Sequence, residues 1–370
     1  MRPLGRTCRR IAAVSLALVA LAAVPSAAQN TDEAVQAAVA AGARARVILQ
    51  FDTTTERDAA FNRLLDRGAA VRAADTEAGP ALVVLGSAAA FGSELANAKQ
   101  ASLDAKVAVS ALQTPARAST SAALRAKKIL NWQNRIGAAD NGGIAVAVID
   151  SGFTPHADLP LSRLRYYKDF VSNTSTPVDG CGHGTHVAGI VSGSGASSNG
   201  QYAGLAPGVE LVVLRVLDEN CSGNTSDVID ALEWVARNHS AYKIKVVNLS
   251  LGHDVLESIF TDPMVQAVER LARKGIAVVT AAGNKGYKVD ASGNPVLGAD
   301  GNPIRVHGGV GVPCNAPSSI CVGSLNTIEG DSNYDRVAFS SSAGPTRFDL
   351  LAKPDLVAPG VKIVSLAAPG

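Results

Sequence analysis

The chain has 370 residues, 47% hydrophobic, 18% charged and 4% aromatic. That apolar content excludes a disordered chain, and the length suits one large domain plus a smaller one. Formal net charge is +2, and with Arg2, Arg6, Arg9 and Arg10 set aside the remainder is at −2, which gives no electrostatic reason to expect nucleic acid.

In chain order, residues 1–28 read as a secretory signal. The basic start is followed by the apolar run Ile11 to Val24 and by Pro25-Ser26-Ala27-Ala28. The run spans 14 residues, short for a membrane span of ~20. The mature protein is therefore expected outside the cytoplasm, secreted or periplasmic, with no membrane segment after cleavage. Cys8 would leave with the signal. Cys181, Cys221, Cys314 and Cys321 remain, and an even count in an exported chain favours disulfides. Of the three pairings, Cys181–Cys221 and Cys314–Cys321 each stay within one locally folded segment. A zinc site lacks the Cys-x-x-Cys spacing.

Residues 29–115 form a separable unit. Strands are expected at 46–51 and 81–85, helices at 56–67 and 87–99, and a closing strand at Lys106–Val109. The order predicts a small α+β sandwich of the ferredoxin-like kind. Residues 116–128 have linker composition. From about 129 to 370, strands and helices alternate. Apolar runs at 144–149, 211–216, 246–251 and 276–281 read as strands. One helix is expected behind Ser226 as cap, and another behind Asp262 with Pro263 at its first position. Such alternation predicts an α/β domain with a mostly parallel sheet. Residues 290–303 read as an exposed hairpin insertion. Asp290 and Asp300 there lack the spacing of an EF-hand calcium loop.

Asp150 ends the first of these strands, and in a parallel sheet sites assemble at the carboxyl ends of strands. An Asp there also suits a turn. His183 is more specific. It sits in Gly182-His183-Gly184-Thr185-His186-Val187-Ala188-Gly189, where a histidine oriented by a carboxylate can act as general base. His183 and His186 are three apart without the Glu of a helical zinc pair.

These segments resemble the subtilisin-like serine proteases, in the secreted bacterial branch that includes proteinase-K-like enzymes. Val148-Ile149-Asp150-Ser151-Gly152 resembles the catalytic Asp motif, and the glycine-rich segment around His183 the catalytic His motif. Ser250-Leu251-Gly252 resembles the substrate-binding strand. Ala282-Gly283-Asn284 resembles the oxyanion-hole segment, with Asn284 as the donor. Residues 339–345 and 354–360 resemble the stretches that precede the nucleophile helix. The contexts of Cys181 and Cys221 resemble a disulfide of that branch, and Val312-Pro313 a cis-proline position.

The resemblance covers about 129–370 and implies a subtilisin-like three-layer fold, polypeptide substrates, a monomer, and peptide hydrolysis by an Asp-His-Ser triad. It also implies that the 29–115 unit is a propeptide acting as intramolecular inhibitor and chaperone. The family's Gly-Thr-Ser nucleophile motif does not occur: Gly184-Thr185 is followed by His186. This chain is therefore expected to be inactive as given. A different class of function is a noncatalytic binder or inhibitor of another protease. No cofactor is required by either. A structural calcium ion is unsupported, because the loop 195–204 is short and Asp158 is a single carboxylate. Leu251, Gly252, Ala282 and Gly283 predict an open apolar pocket and broad specificity.

Overall fold

The computed structural model describes residues 31–42, 44–109, 143–327 and 335–368. The expected signal, Cys8 and the 116–128 linker lie outside them. The N-terminal part contains α1 (Glu33–Ala40), β1 (Ala45–Gln50), α2 (Thr54–Asp66), β2 (Ala70–Ala73), β3 (Ala81–Gly86), α3 (Ala88–Phe91), α4 (Glu94–Asn97) and β4 (Gln100–Leu103). Its four strands form an antiparallel sheet in the order β2-β3-β1-β4. Val47, Leu49, Leu64, Leu82, Val84 and Phe91 fill its own core. Thr53 and Glu56 close a reciprocal capping box at the start of α2. The single helix expected over 87–99 is broken in two at Gly92, whose φ of 53° no continuing helix accepts.

The expected closing strand is also corrected. Gln100–Leu103 closes the sheet against β1. Lys106–Val109 is a strand, β5, but it leaves this sheet and pairs with the rest of the molecule.

The larger part contains β6 (Ala145–Asp150), β7 (Leu164–Asp169), α5 (His183–Ser192), β8 (Glu210–Arg215), β9 (Ser222–Asn224), α6 (Thr225–Asn238) and β10 (Ile244–Leu249). Then come β11 (Leu251–Gly252), α7 (Pro263–Arg273), β12 (Ala277–Ala281), β13 (Ile320–Asn326), β14 (Arg336–Val337) and β15 (Leu356–Pro359). The main sheet runs β14-β13-β12-β10-β6-β8-β7, with β15 on β13. Every pairing is parallel except β13 with β14.

β6 is buried at all six positions, as its unbroken apolar run requires of a strand covered on both faces. Ala145, Ala147 and Ile149 face a core shared with α6 and α7. Val146 and Val148 face a second core with Val187 and Ala188 of α5 and with Leu366. The result is a three-layer α/β domain, and each fully buried branched side chain contributes roughly 1.5–3 kcal/mol.

Asp262 caps α7 as expected, accepting from the Met264 and Val265 amides at 2.9 Å each. Ser226 does not cap α6. The helix starts at Thr225, and the Ser226 amide donates 2.7 Å to Asp104 of the N-terminal part.

Candidate active site

Parallel register puts the carboxyl ends of β6, β10 and β12 side by side. Ile149 pairs with Leu249, and Leu249 with Thr280. The residues that follow these strands therefore share one edge: Asp150 after β6's apolar run, Ser250 after β10, and Ala282, Gly283 and Asn284 after β12. His183 opens α5, which packs on the neighbouring face of β6.

Asp150 is fully buried. Its Oδ1 accepts from the Ser151 amide at 2.7 Å and lies 2.8 Å from Nδ1 of His183. Its Oδ2 is buried with no partner among the described residues. The approach of helix to strand depends on glycine. A Cβ at Gly184 would collide with the Gly152 carbonyl, and one at Gly152 with the Val178 carbonyl.

Burial works against a charged imidazole at His183. The charge and hydrogen bond of Asp150, with the charge of Asp179 behind it, outweigh burial and hold the His183 pKa above its ordinary value. His186 goes the other way, lowered chiefly by burial, and its Nε2 lies 3.4 Å from the Ile363 carbonyl. The two rings thus have separate hydrogen-bond partners. Among the described residues, no group of three His, Cys, Asp or Glu side chains is placed to hold a metal ion. Asp290 and Asp300 spend their oxygens on the amides of their own turns, Ser292 and Asn294 for the first and Asn302 for the second.

Asn284 is exposed at the sheet edge. The turn before it is held by the Ser342 amide donating to Gly283 O at 3.0 Å. Leu251 and Ala282 are buried, and Ser250 accepts from Asn248 Nδ2 at 2.9 Å. Leu251 and Gly252 form one wall of a groove and Ser222–Asn224 the other. β5 lies antiparallel between them, with Val109 opposite Leu251, Ala108 opposite Gly252 and Ser222, and Val107 opposite Gly223. Val107 is fully buried and Val109 partly so, while Lys106 and Ala108 face outward.

The disulfides are Cys181–Cys221 and Cys314–Cys321. The first ties the loop before α5 to the loop before β9. Val312-Pro313 is cis.

The structure places Asp150 and His183, both singled out in the sequence, side by side, and it adds three things the sequence reasoning missed: the β9 wall, the strand that fills the groove, and Asp179. Asp179 is buried four positions before His183 in a glycine-rich loop, and an Asp in such a loop reads as an ordinary turn residue.

A subtilase family model matches residues 141–368. The chain is 38% identical over 235 residues to the serine protease AprX of Bacillus subtilis, covering 61% of this chain and 48% of that protein. It is 31% identical over 223 residues to subtilisin Savinase of Lederbergia lenta, covering 60% of this chain and 66% of that protein. A solved psychrophilic protease aligns with a TM-score of 0.51 at 31% identity, over 68% of this chain and 77% of that one. The chain spans about half the length of AprX and of other curated relatives it matches.

Proposed function

The chain belongs to the subtilase family, and from that premise we propose that it is a secreted serine endopeptidase precursor. Asp150 and His183 are two members of its triad, and the nucleophilic serine is not among the 370 residues. The observation that carries this is the 2.8 Å Asp150–His183 pair at the carboxyl edge of a parallel sheet, beside a groove that already holds an extended strand.

The buried Asp150 carboxylate would keep the His183 proton on Nδ1 and leave Nε2 free. Nε2 would take the serine proton during attack and return it to the leaving amine. Asp150 also favours the imidazolium that forms between these steps. The Asn284 amide would donate to the tetrahedral oxyanion, a contribution of ~10²–10³ in kcat for the corresponding donor of subtilisin itself. The groove between β11 and β9 would bind an extended substrate by strand addition, with main-chain hydrogen bonds giving affinity.

Lys106–Val109 would act as the inhibitory end of a propeptide, since it fills the strand position a substrate needs. Each step is proton or acyl transfer between side chains and substrate, so no cofactor is needed. The two disulfides support an oxidising compartment.

A second reading takes the N-terminal part as a noncatalytic protease binder, and its separate core favours it. The test compares three proteins on an unstructured polypeptide: the 370-residue chain, the chain extended by its following coding sequence, and the extended chain with His183→Ala. Hydrolysis is expected only from the second. Inhibition of a foreign subtilase by the 370-residue chain, with no hydrolysis by the extended one, would overturn the endopeptidase reading for the binder.

A further inference from the structure

We propose that Asp179 is a positioning residue for the Asp150–His183 pair, fastening the strand end that carries Asp150 to the helix start that carries His183. The inference deepens the endopeptidase reading and rests on it.

Asp179 touches neither member of the pair. It holds the neighbours of both. Its Oδ1 accepts from Ser151 Oγ and from the Gly182 amide, each at 2.8 Å. Its Oδ2 accepts from the Thr185 amide at 2.8 Å and from Thr185 Oγ1 at 2.7 Å. Ser151 Oγ in turn accepts from the Gly184 amide at 2.8 Å. The Ser151 side chain next to Asp150 and two residues around His183, Gly182 and Thr185, thus converge on a single buried carboxylate, and Gly184 joins them through Ser151. No cation is recorded on that carboxylate among the described residues. Two of its four donors are amides at the start of α5, where helix geometry favours negative charge. The clasp fixes the 2.8 Å separation of the pair without competing for either Asp150 oxygen.

A purely structural staple would act through its hydrogen bonds alone. A charged one also acts on His183 through space. The ionisable groups around that ring are Asp150 on β6, Asp179 on the preceding loop and His186 on its own helix. The segment 361–368 packed over α5 adds only the exposed Lys362. Arg215, beside Gly152, is ion-paired with Asp169. Asp179 is therefore a second negative charge supporting the imidazolium.

The experiment is an NMR titration of the His183 imidazole in the full 370-residue chain, with the resonance assigned by its loss in His183→Ala. In Asp179→Asn the midpoint should shift to lower pH, and the His183 Nδ1 proton should exchange faster with water. Thr185→Ala removes one hydrogen bond but keeps the charge, so it should leave the midpoint in place. An unchanged midpoint in a folded Asp179→Asn protein would overturn the proposal. If that variant does not fold, Ser151→Ala decides: faster Nδ1 proton exchange at an unchanged midpoint supports the clasp, and wild-type exchange overturns it. Because no nucleophile is needed, this result is independent of whether the extended chain hydrolyses peptides.

Discussion

Two contacts made by one face of β4 and its extension show opposite solutions to the same problem. Gln100, Ser102 and Asp104 are two residues apart, so their side chains leave the same side of an extended chain, and that side meets the larger part of the molecule. At one end, Asp104 is buried and fully matched, with Arg46 Nε at 2.5 Å and the Ser226 amide at 2.7 Å. At the other end, Gln100 Nε2 and Ser102 Oγ donate to Glu257 at 3.3 and 3.4 Å. No cation is recorded on Glu257 among the described residues, and the charges of Asp262 and Asp32 act on it. Burial first, then Asp262, pushes its pKa up to about 8. One end of the seam is clasped by charge, and at the other the Gln100 amide also donates to the Thr261 carbonyl while burial of the Glu257 carboxyl favours its protonated form.

The largest effect is expected at the matched end. Asp104→Ala leaves Arg46 without its carboxylate and the first turn of α6 without its acceptor. Losing a cap of this kind costs about 2 kcal/mol, a roughly 30-fold loss of hydrogen-exchange protection for amides of β4 and β5. The cap of α7 comes from its own chain neighbour, Asp262, so α7 should keep its protection while α6 frays at its start. Equal loss in both helices would break the distinction between a borrowed cap and a resident one.

The mismatched end should respond to pH instead. Glu257 has an ordinary value of 4.5, raised to about 8 in this contact, so the docked form holds an extra proton between those values. Docking is then strongest below about 4.5 and weakens as pH rises, with the full penalty in place above about 8. Exchange protection of β4 and β5, corrected for intrinsic rates, should fall between about pH 4.5 and about pH 8. Glu257→Gln should remove most of that fall, whereas Asp104→Ala should lower protection by a similar factor at both pH values. A flat wild-type profile would remove the asymmetry altogether.

The sequence carried the local signals of this architecture and not the choice of partners. Asp150 and His183 were legible because a strand-ending Asp and a glycine-flanked His at a helix start are specified within a few residues. β6, β8, β10 and β12 were legible as apolar runs. β4 was not, because Gln100 and Ser102 face the seam and dilute its pattern. The Val107-Ala108-Val109 alternation correctly marked a strand, yet only tertiary context decides that it pairs with β11 and β9 rather than with β1. β7 was missed because its Tyr and charged residues disguise a half-buried face. Tyr166 there stacks on Trp234 at 4.7 Å. Ser226 was a sound cap by residue type, but the acceptor at that helix start comes from Asp104, more than a hundred positions earlier.

A third contact on the same seam sets the lower bound. Arg72 on β2 donates to Asp230 at 2.5 Å and lies 3.8 Å from Asp227, both on α6. Its side chain is 44% exposed, so water and salt screen the pair, and such bridges contribute about 0.5 kcal/mol. Arg72→Ala should therefore change protection of the seam about twofold, and raised salt should erase even that. Burial holds the pKa values of Asp227 and Asp230 up. An Arg72→Ala loss as large as that of Asp104→Ala would mean that the seam is held by its summed surface charge. The buried Asp104 clasp would then have no special place in it.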